Sequence, residues 1–216
     1  MKLLKKEFGL CMHPFGYLTP VFSAMVLIPG YPYTVCCFYT TLAIFFICLS
    51  ARENHDAAYT LTLPVSRRDA VEGRILLCVC METVQLITMG IFIWIKYLIG
   101  AMPNPAGLDA GLALIADGMV VYALFNLVFF PIYYRDINKP GVSFMIASAA
   151  VFLWILLEVI ATYTVPFVRY RLDTADPAYL EDKALFTLGA AALFAAGTWM
   201  AFLRSVKKFE SADLSL

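Results

Sequence analysis

The sequence contains few charged residues for its length. Only 15% of the 216 residues are charged, whereas 62% are hydrophobic, and the mean hydropathy is +0.78. A water-soluble domain of this size cannot bury so much apolar surface, so lipid must cover the excess. Basic and acidic residues are equal in number, at 16 each, and give no bulk attraction to nucleic acid. The composition therefore predicts an all-α integral membrane protein.

Patterns of metal-binding and redox-active residues are missing as well. No two of the six cysteines have C-x-x-C spacing, and the only histidines, His13 and His55, fall in different segments. The cysteines lie in or beside apolar runs, where a thiol behaves as a small hydrophobic group. We therefore expect no metal site and no disulfide.

The sequence also lacks the motifs of common enzyme classes. Neither H-E-x-x-H nor G-x-S-x-G occurs, and there is no G-x-x-x-x-G-K-[ST] loop to hold the phosphates of ATP. We expect no catalytic residue and no cofactor in this chain. Any dependence on ATP must come from a second polypeptide.

Long apolar runs predict about six membrane spans in a single transmembrane domain, residues 1–216. A span needs roughly 20 apolar residues, and prolines, glycines and charged residues separate six such runs. A short amphipathic helix over residues 1–12 is suited to lie in the membrane interface before the first span. The first run is short for a crossing, which leaves a tilted or partly re-entrant segment as an alternative. The predicted spans are residues 15–28, 33–49, 75–101, 112–134, 142–168 and 184–203.

The distribution of basic residues predicts that both chain ends face the cytoplasm. Lysine and arginine beside a span resist translocation, so the loops that carry most of them stay inside. On the outer side are Lys96 and three residues of the predicted extracytoplasmic loop 169–183, namely Arg169, Arg171 and Lys183. The remaining twelve are Lys2, Lys5, Lys6, Arg52, Arg67, Arg68, Arg74, Arg135, Lys139, Arg204, Lys207 and Lys208.

The longest polar stretch between spans, residues 51–74, is a candidate for binding a partner protein. It keeps apolar residues at helical spacing, such as Ala58 and Leu61, until Pro64 interrupts it. A helix, a break and a second helix on the cytoplasmic side form a surface that a soluble protein can bind. The alternative is a solvated loop with ordinary helix ends.

The same stretch contains a known signature. Residues 61–68 read LTLPVSRR, preceded by Arg52 and Glu53 and followed by Val71 and Arg74. This order resembles the E…LPVSR…V..K signature between the second and third spans of type-2 ABC exporter permeases, in which lysine is usual at the position of Arg74. Two further matches keep the family's order, Pro131 to Tyr134 with Lys139, and Ser205 to Glu210.

The resemblance implies a permease of the bacterial cytoplasmic membrane that pairs with a second protomer, as a homodimer or a related heterodimer. It also implies a cytosolic ABC ATPase that binds ATP and Mg²⁺ and moves the permease helices through the cytoplasmic loop 51–74. Small permeases with this signature resemble bacterial peptide-toxin exporters of the phenol-soluble modulin type, so the implied substrate is an amphipathic peptide. Lipids, drugs and ions are alternatives, and so is an assembly protein without transport. The residues implied in ATPase coupling are Arg52, Glu53, Tyr59, Leu61, Leu63, Pro64, Arg67 and Arg68.

Three acidic residues, Glu82, Asp117 and Glu158, fall inside predicted spans. An ionised side chain that faces acyl chains is energetically costly, so each should face the bundle interior or water. One interpretation is a translocation pathway lined by groups that contact cationic substrates. The alternative is that each carboxyl group lies near an interface, or is paired or protonated within the bundle.

Overall fold

The computed structural model describes residues 6–62 and 64–211, and over these residues it contains helices and turns but no strand. A 3₁₀-helix, Thr19–Leu27, continues the first α-helix, and two five-residue turns of π-helix lie at Glu7–Cys11 and Val168–Leu172. The α-helices are α1 (Pro14–Leu18), α2 (Val35–Glu53), α3 (Asp56–Thr62), α4 (Arg67–Ile99), α5 (Leu112–Tyr133), α6 (Pro140–Thr164) and α7 (Leu180–Glu210).

Five helices, α2 and α4 to α7, are long and apolar enough to cross a membrane. They correspond to five of the six predicted spans, and the prediction of an all-helical membrane protein is confirmed. The remaining apolar segment, Pro14–Leu27, is shorter. Because a 3₁₀-helix rises about 2.0 Å per residue, this segment reaches roughly 25 Å, which is less than the ~30 Å hydrocarbon core. A sixth crossing therefore stays a prediction.

Local chemistry sets both ends of α4. The Ser66 hydroxyl accepts the Asp69 amide at 3.1 Å, and the Asp69 carboxylate accepts the Ser66 amide at 3.0 Å, which caps the first turn. Gly100, at φ +62°, ends the helix in the left-handed conformation that favours glycine. The helix therefore begins at Arg67, well before residue 75, where the apolar run starts.

Helix α5 lies at the centre of the bundle. Phe125, Phe129 and Tyr133 stack along one face at ring-centroid separations of 4.8 and 5.7 Å. Helix α7 approaches α5 closely at Gly197, where an added Cβ would lie 3.4 Å from the Cβ of Ala123. A helix that is buried on all sides is apolar on all sides, which explains why α5 has no narrow hydrophobic stripe.

The two ends of the described chain meet at one end of the bundle. Glu7, which is 2% exposed, packs on α4 at Arg74, and Arg67 of the same helix donates to the carbonyl oxygen of Phe209 at 2.7 Å. We call this the basic end and the other the distal end. Residues 1–5 lie outside the described residues, so the interfacial helix over residues 1–12 stays a prediction.

Candidate functional site

Four charged side chains from three segments meet at the basic end. Arg74 on α4 donates to Glu7 of the N-terminal turn at 2.5 Å and to Asp56 of α3 at 2.6 Å. Lys6 donates to the other Asp56 oxygen at 2.7 Å and to Glu7 at 3.2 Å. Two positive and two negative charges therefore form a closed, neutral group. We call these four residues the charge network.

Burial and pairing shift the pKa values of two members of the charge network. Burial raises the pKa of Asp56, but the Arg74 charge and the hydrogen bond from Lys6 outweigh it and leave this pKa below its ordinary value. Burial lowers the pKa of Lys6, but the hydrogen bond to Asp56 and the Glu7 charge outweigh it and leave this pKa above its ordinary value. Both side chains are therefore charged at neutral pH.

The charge network attaches α3 to the rest of the bundle. Asp56 and Thr60 lie one helical turn apart, and the Lys6 ammonium also contacts the Thr60 hydroxyl at 2.6 Å. Tyr59 lies to one side of this face and is 53% exposed. Helix α3 therefore has one face that packs on the protein and one that is open to a partner.

The residues implied in ATPase coupling are not all equally exposed. Arg67 is partly buried, and the Leu61 side chain and the whole of Leu63 lie outside the described residues. The exposed members are Arg52, Glu53, Tyr59, Pro64 and Arg68.

Arg67 and Arg68 both contact α7. The Arg67 guanidinium donates to the carbonyl oxygens of Phe209 and Glu210 at 2.7 and 3.1 Å, and that of Arg68 lies 5.5 Å from the ring centroid of Phe202. Sequence reasoning missed these contacts because nothing in the local pattern links positions separated by 142 residues. The two arginines therefore join the start of α4 to α7, whatever they contribute to a partner.

Three potential metal ligands lie in or beside the charge network. Glu7, Cys11 and Asp56 each place one ligand atom within 4.8 Å of the others. Both carboxylates already contact Arg74 or Lys6, and these positive charges oppose the binding of a divalent cation. The arrangement is therefore that of an ion-pair network.

Glu82 is enclosed in the middle of the bundle. It is fully buried, and one of its oxygens accepts a hydrogen bond from Asn126 of α5 at 3.0 Å. The same Asn126 amide group donates to Thr198 of α7 at 3.2 Å. The second Glu82 oxygen has no hydrogen-bond partner among the described residues. Glu82 therefore belongs to a polar cluster that joins α4, α5 and α7.

Asp117 and Glu158 meet near the distal end, at Thr34. The Thr34 hydroxyl oxygen lies 2.9 Å from an Asp117 oxygen and 3.3 Å from a Glu158 oxygen. Trp154 Nε1 donates to the second Asp117 oxygen at 2.9 Å, and the Leu108 amide donates to the second Glu158 oxygen at 3.0 Å. Neither carboxyl group has a lysine or arginine partner in the part of the chain that the structure describes. We call Asp117 and Glu158, which share the Thr34 hydroxyl, the carboxyl group pair.

A cavity of about 430 Å³ opens beside the carboxyl group pair. Asp117 and Glu158 both line it, and most of the remaining wall is apolar, including Leu157, Ala161 and Phe186. Pockets of this size and composition hold small molecules in many proteins. The structure therefore brings two of the three predicted pathway residues together at one cavity, while Glu82 lies in another cluster. Whether the three line a pathway stays a prediction.

Acidic side chains attach the loop after α6, which was predicted to be extracytoplasmic, to the start of α5. Asp173 accepts the amide of Asp109 at 2.7 Å, while Asp176 accepts the amide of Leu112 at 3.0 Å and the ammonium of Lys183 at 2.6 Å. Burial raises the pKa of Asp173 to about 6, although the hydrogen bond from Asp109 opposes this rise. The loop is therefore held close to the carboxyl group pair.

Comparison with known proteins identifies the family. The family model described as ABC-2 family transporter protein matches residues 2–210, which include the charge network, the carboxyl group pair and all five membrane-length helices. No curated protein and no solved structure matches the chain. The family implies a non-catalytic, membrane-spanning component of an ABC transporter. The chain therefore belongs to the ABC-2 family of transporters, as a multi-pass membrane permease component.

Proposed function

We propose that the protein is the permease subunit of an ATP-driven exporter, that its ATPase is a separate cytosolic subunit, and that its substrates are amphipathic peptides. The observation that carries the ATPase part is the way α3 is attached. One face of this short helix is joined to α4 by the charge network, and an adjacent side presents Tyr59 to solvent. A helix with these two faces can receive a movement from a partner and pass it on.

Helix α4 would carry that movement across the membrane. It has 33 residues, and at about 1.5 Å per residue it is roughly 50 Å long, which exceeds the thickness of the hydrocarbon core. Arg74 lies near its start and contacts both Glu7 and Asp56, so a displacement of α3 acts directly on this helix. Nucleotide binding would then shift the populations of the permease states through the relative positions of α3 and α4.

The pathway would lie between two protomers. Only 22% of the most apolar stretch of α6 and of α7 is buried, against 67% for α5. The exposed apolar face of α6 includes Leu153, Leu156 and Ile160. This surface suits both lipid and a second copy of the chain, and a dimer would place part of it at the interface.

The ATPase part is tested by copurification with any ABC ATPase that a neighbouring reading frame encodes. Tyr59→Ala should reduce the amount of bound ATPase at least about tenfold, because exposed tyrosines are frequent binding hot spots. Tyr97→Ala removes an even more exposed tyrosine at the distal end and should leave binding unchanged. If no ATPase copurifies with the wild-type permease, an assembly role without transport is favoured instead.

The substrate part is tested with the permease and ATPase together in proteoliposomes. Amphipathic peptides should stimulate ATP hydrolysis and accumulate on the side away from the ATPase. Stimulation by lipids or small drugs, with none by peptides, would replace the peptide substrate with one of the alternatives.

A further inference from the structure

The single hydroxyl hydrogen of Thr34 restricts which protonation states of Asp117 and Glu158 satisfy their hydrogen bonds. A threonine hydroxyl carries one hydrogen, so it donates to one acceptor at a time and offers lone pairs to other donors. Here the hydroxyl oxygen is within hydrogen-bond distance of both carboxyl groups, at 2.9 and 3.3 Å. Two carboxylates would leave one of these contacts without a hydrogen. One proton on either carboxyl group satisfies both contacts.

The other hydrogen bonds favour Glu158 as the protonated partner. Asp117 then accepts from both the Thr34 hydroxyl and Trp154 Nε1, as an ionised carboxylate does. Glu158 donates its proton to Thr34 through one oxygen and accepts the Leu108 amide through the other. Gly107, at φ +147°, lets the backbone reach this position, since a Cβ there would lie 3.1 Å from the Glu158 oxygen.

With one proton bound, the carboxyl group pair still carries one negative charge at an apolar cavity. The described residues supply no cation to it, and the nearby Lys96 ammonium is already paired with Asp109 at 2.7 Å and with the Tyr33 hydroxyl at 2.9 Å. The other titratable groups that face the pair are Cys37 of α2 and Asp173 of the loop after α6, and neither can add positive charge. A cation from outside the protein can therefore compete with the shared proton for the two carboxyl groups.

We propose that the cavity beside the carboxyl group pair binds a hydrophobic organic cation, and that the cation displaces the proton shared by Asp117 and Glu158. The apolar walls at Leu157, Ala161 and Phe186 contact the body of the ligand, and its positive charge lies against the two carboxylates. The net charge of the site does not change, because one proton leaves as one cation binds. As an account of what the exporter transports, this site rests on the proposed function.

The shape and composition of the cavity favour an organic cation over an inorganic one. A Ca²⁺ or Mg²⁺ site needs six or more oxygen ligands around a small centre. Here Asp117 and Glu158 line a space of about 430 Å³ whose other walls are largely apolar. Trp154 also lies on the wall, and an indole ring attracts a cation through its face. Charge and apolar surface together match an amphiphilic cation.

Binding is measured on the full-length permease in lipid nanodiscs without its ATPase. Tetraphenylphosphonium should bind, whereas neutral triphenylphosphine oxide should bind at least about tenfold more weakly. Asp117→Asn should weaken tetraphenylphosphonium binding at least about tenfold. Glu72→Gln is the matched control, because Glu72 borders a separate apolar groove between α4 and α7, and it should bind like wild type. Equal binding of the two probes, or wild-type binding by Asp117→Asn, would overturn the proposal.

Proton release provides a second measurement that needs no destabilising variant. Calorimetry in two buffers of different ionisation enthalpy should show about one proton released per tetraphenylphosphonium bound, with affinity rising about tenfold per pH unit while Glu158 is protonated. Glu158→Gln keeps a hydrogen-bond donor for Thr34 but has no proton to lose. This variant should still bind, with no proton release and no pH dependence. Binding without proton release in wild type would contradict the shared proton.

Two kinds of ligand carry this chemistry, and a peptide pair distinguishes them. An amphipathic peptide with one lysine should compete with tetraphenylphosphonium, whereas the same peptide with that lysine acetylated should not. Competition by the peptide assigns the site to peptide cations, and binding of the phosphonium alone assigns it to small hydrophobic cations. Cation binding in a permease that copurifies with no ATPase would refute the proposed function but not this site. ATPase copurification without cation binding would refute this site but not the proposed function.

Discussion

Buried charge is treated differently at the two ends of the bundle. At the basic end, two cations and two carboxylates complete the charge network, and every member has a partner of opposite sign. Near the distal end, Asp117 and Glu158 share one hydroxyl and have no cationic partner among the described residues. In a medium of low dielectric constant an unpaired charge is far more costly than a paired one. The first group is complete within the protein, and the second is not.

This difference suggests a division of roles. A complete ion network resists displacement of its members, so it suits the transmission of movement between α3 and α4. An incomplete group gains stability when a cation arrives, so it suits binding. Mutations should therefore affect structure and assembly most at the basic end, and ligand binding most near the distal end.

The largest expected effect is in cysteine labelling, which tests on which side of the membrane each group lies, because such labelling is all or none. In a variant without other cysteines, Ser211→Cys at the basic end should not react with an impermeant thiol reagent added to intact cells. Met102→Cys, exposed at the distal end, should react. The opposite pattern would place the charge network outside the cell, where a cytosolic ATPase cannot reach α3.

Removal of Arg74 should give the largest loss of stability. Arg74→Leu leaves the buried Glu7 and the partly buried Asp56 with Lys6 as their only cation among the described residues, and the free energy of unfolding should fall by about 3–5 kcal/mol. Bound ATPase should fall with it, since α3 loses its attachment. Arg74→Lys should lose less stability than Arg74→Leu, because lysine keeps the positive charge. It should still be less stable than wild type, because lysine lacks the fork that contacts both carboxylates.

The control for this prediction is a solvent-exposed ion pair. Arg171 and Asp182 are 2.8 Å apart, with side-chain exposures of 52% and 29%. Arg171→Leu should cost less than about 1 kcal/mol in unfolding measurements. Equal losses of unfolding free energy for Arg74→Leu and Arg171→Leu would show that burial of the charge network contributes nothing to stability.

Thr34→Val should have an intermediate effect at the distal group. The valine removes the one hydroxyl that satisfies both carboxyl groups, and the unfolding free energy should fall by about 1–3 kcal/mol. Thr41→Val, in the helix that follows Thr34, is the control, because among the described residues the Thr41 hydroxyl bonds only the Phe38 carbonyl oxygen of its own helix, at 2.8 Å. A loss no larger than that of Thr41→Val would mean that Thr34 does not join the two carboxyl groups.

The smallest effect is an opposite response to acid at the two ends. The pKa of Asp56 is lowered in the folded protein, so its stabilising contribution is present above its unfolded value near 3.8 and is lost as the pH falls through the folded value. The pKa of Asp173 is raised to about 6, so its contribution is present below 3.8 and is lost as the pH rises through about 6.

The free energy of unfolding, measured between pH about 4 and 7, can separate the two responses. Relative to Asp173→Asn, wild type should lose stability as the pH rises through this range, by less than about 1 kcal/mol because Asp173 is partly exposed and screened. Relative to Asp56→Asn, wild type should keep its advantage across the same range and lose it only at lower pH. If the stability contributions of Asp56 and Asp173 changed in the same direction with pH, the two ends would not differ in their response to acid.

Five of the spans and the cap of α4 could be read from the sequence because both depend on neighbouring residues. An apolar run of sufficient length predicts a membrane helix whatever it packs against, and Ser66 and Asp69 cap α4 with residues three positions apart. The LPVSR stretch likewise led to the family that the match over residues 2–210 shows. The shorter Pro14–Leu27 segment was the uncertain one, because its length alone does not decide whether it crosses.

The candidate sites could be predicted only in part. The rarity of acidic residues in spans singled out Glu82, Asp117 and Glu158, but nothing in their spacing indicated that Asp117 and Glu158 meet while Glu82 joins Asn126. Thr34 gave no signal, since a threonine at the start of a helix is ordinary. Arg74 was noticed as an unusual residue in the signature, although its contacts with Glu7 and Asp56 were not foreseen.

The sequence by itself determined that this protein lies in a membrane, where its long helices fall and which residues are too polar to face lipid. These properties follow from the transfer of local side chains between water and hydrocarbon, which does not depend on distant contacts. Only the tertiary structure decided which buried charges are neutralised by other charges and which are not. Pairing requires groups 67 positions apart, as for Glu7 and Arg74, or 124 apart, as for Thr34 and Glu158, to come within about 3 Å of each other. Helix packing sets those distances, and one-dimensional patterns do not encode them.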